Sequence, residues 1–205
     1  RLVRDWSSDV CSSDLGLRMG TPPSLGLQDA DLLDRTLEIL EVLVAYDTIA
    51  LTPNLDMIGD CRDRFESLGA TVVLTHDETR TKANLFATIG PDVAGGVVLS
   101  GHSDVVPVDA ADWTTPPFTA DRRGDRVYGR GTADMKGFIS CVLAMAPAYA
   151  ALDLVRPIHV AFTFDEEDGF HGAPILLADL VARGVRPSAA IIGEPTGLRT
   201  VGAHK

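Results

Sequence analysis

Four strand-like runs in this chain each lead into a histidine or carboxylate, and that recurrence constrains the fold more than any other feature. Residues 97–100 run into Gly101-His102-Ser103-Asp104, and residues 126–128 lead through a Gly-rich turn to Asp134. Residues 158–164 run into Asp165-Glu166-Glu167, and residues 189–192 into Gly193-Glu194. In open α/β sheets, ligands gather outside the carboxyl ends of the strands. Loops distant in sequence can therefore converge there.

The intervening segments supply the helices. Residues 29–46 carry Leu32, Leu33, Leu37, Leu40, Leu43 and Val44 at three- and four-residue spacing, which predicts an amphipathic helix. Residues 54–68 predict a second helix, with Leu55, Ile58, Cys61, Phe65 and Leu68 inward and Gly69 as its stop. A third is predicted to open at Asp134 and reach Ala150, with Phe138, Val142, Leu143 and Met145 inward, and a fourth over 172–182. Strands are predicted at 71–74, 84–89, 97–100, 126–128, 158–164 and 189–192, with a long polar loop at 109–126. Apolar runs buried on both faces and alternating with helices predict a layered α/β/α domain on a mixed, mostly parallel sheet.

Composition excludes several classes. Apolar residues make up 45% of the 205 and charged residues 23%, as in ordinary globular domains. No run reaches the roughly 18 apolar residues of a membrane span. A net charge of −11 argues against nucleic acid or an anionic membrane as partner. Cys11, Cys61 and Cys141 are odd in number and contain no CxxC, so free thiols in a reducing cytoplasm are expected. Residues 1–25 are Ser- and Asp-rich, lack the apolar core of a signal peptide, and read as a non-native segment similar to translated adapter sequence. The domain is expected over 26–205.

His102 and Asp104 lie two apart in extended backbone, where alternate side chains share a face. Asp104 can then accept the second ring N–H and orient His102 as a metal ligand. Alone, such a pair reads more readily as a loop histidine beside a solvated acid. Asp134 alone is explained equally well by helix capping. Glu166-Glu167 is harder to dismiss, because consecutive acids repel unless cations or hydrogen bonds compensate. One Glu can bind metal while its neighbour takes a proton from a water whose pKa the metal has lowered to about 7. A lone Glu194 is usually a surface residue. Because all four features fall at strand ends, the joint pattern favours a metal site. His76, His159 and His171 are set aside as solvated or packing residues, and Trp113 as packing for its loop.

Gly101-His102-Ser103-Asp104-Val105-Val106-Pro107, the stretch from Tyr128 to Gly137, Asp165-Glu166-Glu167 and Gly193-Glu194-Pro195-Thr196 together resemble the zinc-dependent aminoacylase and acetylornithine deacetylase family of metallohydrolases. The resemblance implies two divalent metal ions, zinc or alternatively cobalt. It implies His102 and Glu194 on one ion, Asp134 bridging, Glu167 on the other, Glu166 as general base and Asp104 orienting His102. The substrate class implied is a small N-acyl amino acid. Similarity is greatest to members that deacetylate N-acetylornithine in arginine biosynthesis. Members that desuccinylate diaminopimelate share the first three motifs but differ after Glu194-Pro195-Thr196. The resemblance also implies a final His ligand and a dimerising lid domain beyond residue 205, and so partial metal loading and little activity for residues 26–205 alone. The reading from another class is a non-catalytic metal-binding relative or an inert piece.

Overall fold

A computed structural model describes residues 29–202. The reading of residues 1–25, Cys11 included, lies outside the described residues.

Helix α1 spans Asp29–Ala45 and α2 spans Leu55–Ser67. Strands β1 (Thr71–His76), β2 (Ala83–Ile89) and β3 (Val97–His102) follow, then a short 3-10 turn at Ala110–Asp112 and a hairpin of β4 (Asp121–Arg123) and β5 (Arg126–Tyr128). The chain continues through α3 (Lys136–Ala150), β6 (Ile158–Thr163), α4 (Gly172–Ala182) and β7 (Ala189–Ile192). The main sheet has five strands in the order β1-β2-β6-β3-β7. β1 with β2 and β2 with β6 are antiparallel; β6 with β3 and β3 with β7 are parallel. The sheet is therefore mixed, as expected, with parallel pairs making up half of it rather than most.

Two layers of side chains explain the arrangement. Leu85, Ala87 and Ile89 of β2 and Val160 and Phe162 of β6 face a large core closed by Leu43, Met57, Ile58, Cys61, Phe65, Ile139 and Leu143 from α1, α2 and α3. Phe86 and Ala161 point to the opposite face, where they meet Val98 and Leu176 of α4. Register brings Leu85 opposite Phe162 and Phe86 opposite Ala161, so the two-residue side-chain alternation of each strand feeds both layers. This explains the unbroken apolar runs.

Several expectations need correction. Leu33 is 53% exposed, and Ile39 takes the core position instead. α3 begins at Lys136, not Asp134, with Met135 as its cap. The backbone at 129–135 is a turn, closed by Thr132 N–H to Gly129 O and Lys136 N–H to Gly131 O. The loop at 109–126 contains the first arm of a hairpin, with Arg123 paired to Arg126 across Gly124-Asp125. β7 is exposed along its length, because it is the edge strand and none of the described elements covers it.

Candidate metal centre

β3 and β6 are parallel neighbours, with His102 in register with Thr163, so both strands deliver their following loops to one end of the sheet. His102 closes β3 and is 1% exposed. Its Nδ1 lies 2.9 Å from the backbone carbonyl of Asp104. A carbonyl only accepts, so Nδ1 carries a proton, and loss of the second ring proton leaves the Nε2 lone pair for a metal. From Nε2, Asp134 Oδ1 is 3.0 Å away, and Glu166 Oε2 and Glu194 Oε1 are each 3.8 Å away.

The Asp104 side chain has a different job from the one its spacing suggested. Its carboxylate is 3.6 Å from His102 Nδ1, beyond hydrogen-bond reach, and the backbone carbonyl orients the ring instead. Its two oxygens accept the N–H groups of Glu166 and Glu167, each at 3.0 Å. Asp104 therefore ties the β3 loop to the acidic β6 loop. Of the three consecutive acids, Asp165 is paired with Lys82, while the next two peptide groups turn to Asp104 and leave Glu166 and Glu167 among other carboxylates.

The donors fall into two groups. One atom each from His102, Asp134 and Glu167, and one each from His102, Glu166 and Glu194, lie within 4.8 Å of one another. An imidazole with a fixed tautomer facing several carboxylates is a donor set that fits zinc or a neighbouring first-row ion. Distances alone do not separate Glu166 from Glu194 as ligand, because both belong to the same group.

Electrostatics reflect the crowding. Burial raises the pKa of Glu166, and Glu194, Glu167 and Asp104 add to it, against the opposing effect of His102. Burial and then Asp134 raise that of Glu167. For His102 burial pulls the pKa down, but Asp104 and Glu166 outweigh it and the net shift is upward. Each shift favours the protonated form, so protons and a cation compete for the same atoms.

Sequence reasoning missed the polar scaffold underneath. Asn54 donates to Ala83 O and Ser103 Oγ and accepts from Ala83 N–H. Thr48 Oγ1 donates to Ser103 O at 2.6 Å, and Ser103 donates to Thr163 O from both its N–H and its hydroxyl. Lys136 is fully buried with its ammonium 2.6 Å from Tyr46 O, and burial lowers its pKa to about 8. Segment 46–54 therefore touches three of the four loops that carry the cluster around His102, those after β3, before α3 and after β6, yet contributes no member of it. Its signal was the polar Thr48 and Asn54 between two helices, a pattern that equally fits a solvated connection. Trp113 packs under the Arg130 guanidinium, 5.2 Å from ring centroid to Cζ.

A model described as Peptidase family M20/M25/M40 matches residues 98–204. Acetylornithine deacetylase of Shigella sonnei (strain Ss046) is 41% identical over 176 residues, which is 82% of this chain and 45% of that protein. Human carnosine dipeptidase 1 superposes with a TM-score of 0.66 at 26% identity, covering 78% of this chain and 38% of that one. An M20 family metallo-carboxypeptidase, Sso-CP2 of Sulfolobus solfataricus, also gives 0.66 at 23% identity over 78% of this chain and 37% of its own, a likeness of fold. The chain thus spans less than half the length of each of these relatives. With the family match covering His102, Asp134, Glu166, Glu167 and Glu194, the chain belongs to peptidase family M20/M25/M40.

Proposed function

We propose that this chain carries most of the binuclear metal centre of an amide hydrolase that deacetylates N-acetylornithine, a step of arginine biosynthesis. The observation that carries the reading is His102 Nε2 facing Asp134, Glu166 and Glu194 within 3.8 Å while Nδ1 is held by a carbonyl. The 41% identity to an acetylornithine deacetylase supports the choice of acyl group and amino acid. Cytoplasmic location and dimerisation through a lid domain belong to the same proposal. None of the described helices is long and apolar enough to cross a membrane.

His102, Asp134, Glu167 and Glu194 would hold the two ions, with His102 common to both donor groups and Asp134 grouped with His102 and Glu167. A divalent ion so held supplies a Lewis acid and a water of pKa near 7. Glu166 then accepts the proton of the attacking water on a carboxylate oxygen and returns it to the departing amine nitrogen. Its raised pKa brings it nearer neutrality, where such a shuttle is most effective. Asp104 keeps Glu166 and Glu167 in place through their N–H groups, and His102 is held to one tautomer throughout.

In the full-length enzyme, Glu166→Ala is expected to retain metal while turnover falls by about a hundred- to ten-thousand-fold. Glu194→Ala is expected to lose metal along with activity. Elemental analysis beside an N-acetylornithine assay reads both, and loss of metal in Glu166→Ala would show that the base has been misassigned. Faster hydrolysis of N-succinyl-diaminopimelate than of N-acetylornithine would transfer the proposal to that substrate.

A further inference from the structure

Asp165 behaves unlike the two acids that follow it. Its backbone sits at φ 50°, in the left-handed region that Asp enters more readily than most side chains. The residue is 2% exposed. One carboxylate oxygen accepts the Leu51 N–H at 2.8 Å, and the other meets the Lys82 ammonium, whose side chain is 12% exposed. Lys82 Nζ also lies 5.7 Å from the centre of the Phe164 ring. The Asp165 carbonyl accepts the N–H of His171, which closes the turn on its far side. Asp165 belongs to neither donor group around His102.

A buried carboxylate requires a counter-charge and satisfied oxygens, and a non-glycine residue at positive φ requires its surroundings to hold it there. Lys82 and Leu51 meet both needs from two separate parts of the chain: Lys82 precedes β2, and Leu51 lies in segment 46–54. The next two peptide groups after this fixed point are the ones that turn to Asp104 and carry Glu166 and Glu167. Rotating Asp165 out of the left-handed region would re-aim both carboxylates.

We propose that Asp165 is a positioning residue, whose clamp by Lys82 and Leu51 sets the turn that aims Glu166 and Glu167 at the cluster around His102. This rests on the metal-centre reading above. Asp165→Asn keeps an oxygen for the Leu51 N–H and a residue that tolerates positive φ. Asp165→Ala removes the clamp, and Lys82→Met leaves a buried charge unpaired. The pair Lys82→Met with Asp165→Asn removes both charges together and keeps the turn.

The test is cobalt(II) titration of the dialysed chain, followed by calorimetry and visible absorption, with far-UV circular dichroism on each variant. Glu167→Gln serves as the control that reports on the metal centre itself. Asp165→Ala and Lys82→Met are expected to weaken cobalt affinity roughly ten- to a hundred-fold with a shifted absorption band. The charge-neutral double variant is expected to recover most of the affinity and the original band. Wild-type affinity and an unchanged band in Asp165→Ala, with Glu167→Gln impaired, overturn this inference and leave the metal centre standing. Absence of cobalt binding by the wild type, or an unimpaired Glu167→Gln, overturns the metal-centre reading and this inference with it. Failure of the single variants to fold, without recovery of binding by the double variant, assigns the pair to the fold alone and also overturns it.

Discussion

At the scale of single residues, the proton inventory of the cluster controls when a cation can enter. The Glu166 and Glu167 pKa values are raised, first by burial and then by neighbouring acids, and that of His102 is raised because its acidic neighbours outweigh burial. A group whose folded pKa is raised lends stability below its unfolded value, roughly 4.3 for Glu and 6.5 for His, and loses it as pH climbs through the folded one. Buried His159, whose pKa burial lowers, acts in the opposite sense. The cation must displace the protons on His102 and the two glutamates, so apparent zinc affinity is expected to rise as pH increases from about 6 to about 8. Calorimetry across that range checks the sign, and an affinity that is flat or falling would count against these residues as ligands. The residues in the cluster were legible from sequence because His102, Asp134, Glu166, Glu167 and Glu194 each stand at a strand end or the turn beyond one. What Asp104 binds was not legible: a two-residue spacing places its carboxylate near the imidazole equally well whether it contacts the ring or the Glu166 and Glu167 amides. Only the turn of the β6 loop decides between them.

At the scale of elements, close backbone approach sets what can be changed. A Cβ on Gly172 would lie 2.5 Å from both Asn84 Oδ1 and the Phe164 carbonyl, where α4 starts against β2 and β6. Gly59, inside α2, has nothing within 4 Å of its would-be Cβ. Gly172→Ala is therefore expected to destabilise the chain by about 1–3 kcal/mol, as overpacking does. Gly59→Ala should stabilise it by about 0.5–1 kcal/mol, because Ala is the better helix former. Urea unfolding of the two variants measures both, and the reverse order would contradict the packing described here. α2 could be read from apolar periodicity, and the central strands from their unbroken apolar runs. The start of α3 could not, since Asp134 satisfies a capping rule while the Gly129 to Lys136 turn fixes the actual boundary. The β4–β5 hairpin was hidden by its polarity, although Gly124 at φ 62° in a two-residue turn was a usable signal. β7 looked buried because Ala189, Ala190, Ile191 and Ile192 are all apolar, but composition does not tell an edge strand from a central one.

At the scale of the whole molecule, that exposed strand lies at one edge of the sheet among the described residues. Ile191 is 54% and Ile192 65% exposed, and β7 pairs with β3 along one edge. An apolar, uncharged edge recruits other strands. The 205-residue chain is accordingly expected to self-associate through this edge, and Ile192→Lys to reduce this, as read by sedimentation velocity. A wild-type chain that stays monomeric would contradict that. The wider account rests on one spatial fact: side chains from β3, the turn before α3, the β6 loop and the β7 loop surround His102 Nε2. A crystal of the chain soaked in zinc and measured on both sides of the zinc absorption edge tests it most directly. The account predicts an anomalous peak about 2.0–2.1 Å from His102 Nε2, shared with Asp134 and with Glu167 or Glu194. Well-ordered His102 and Asp134 with no peak between them, and zinc bound only elsewhere on the surface, would contradict it.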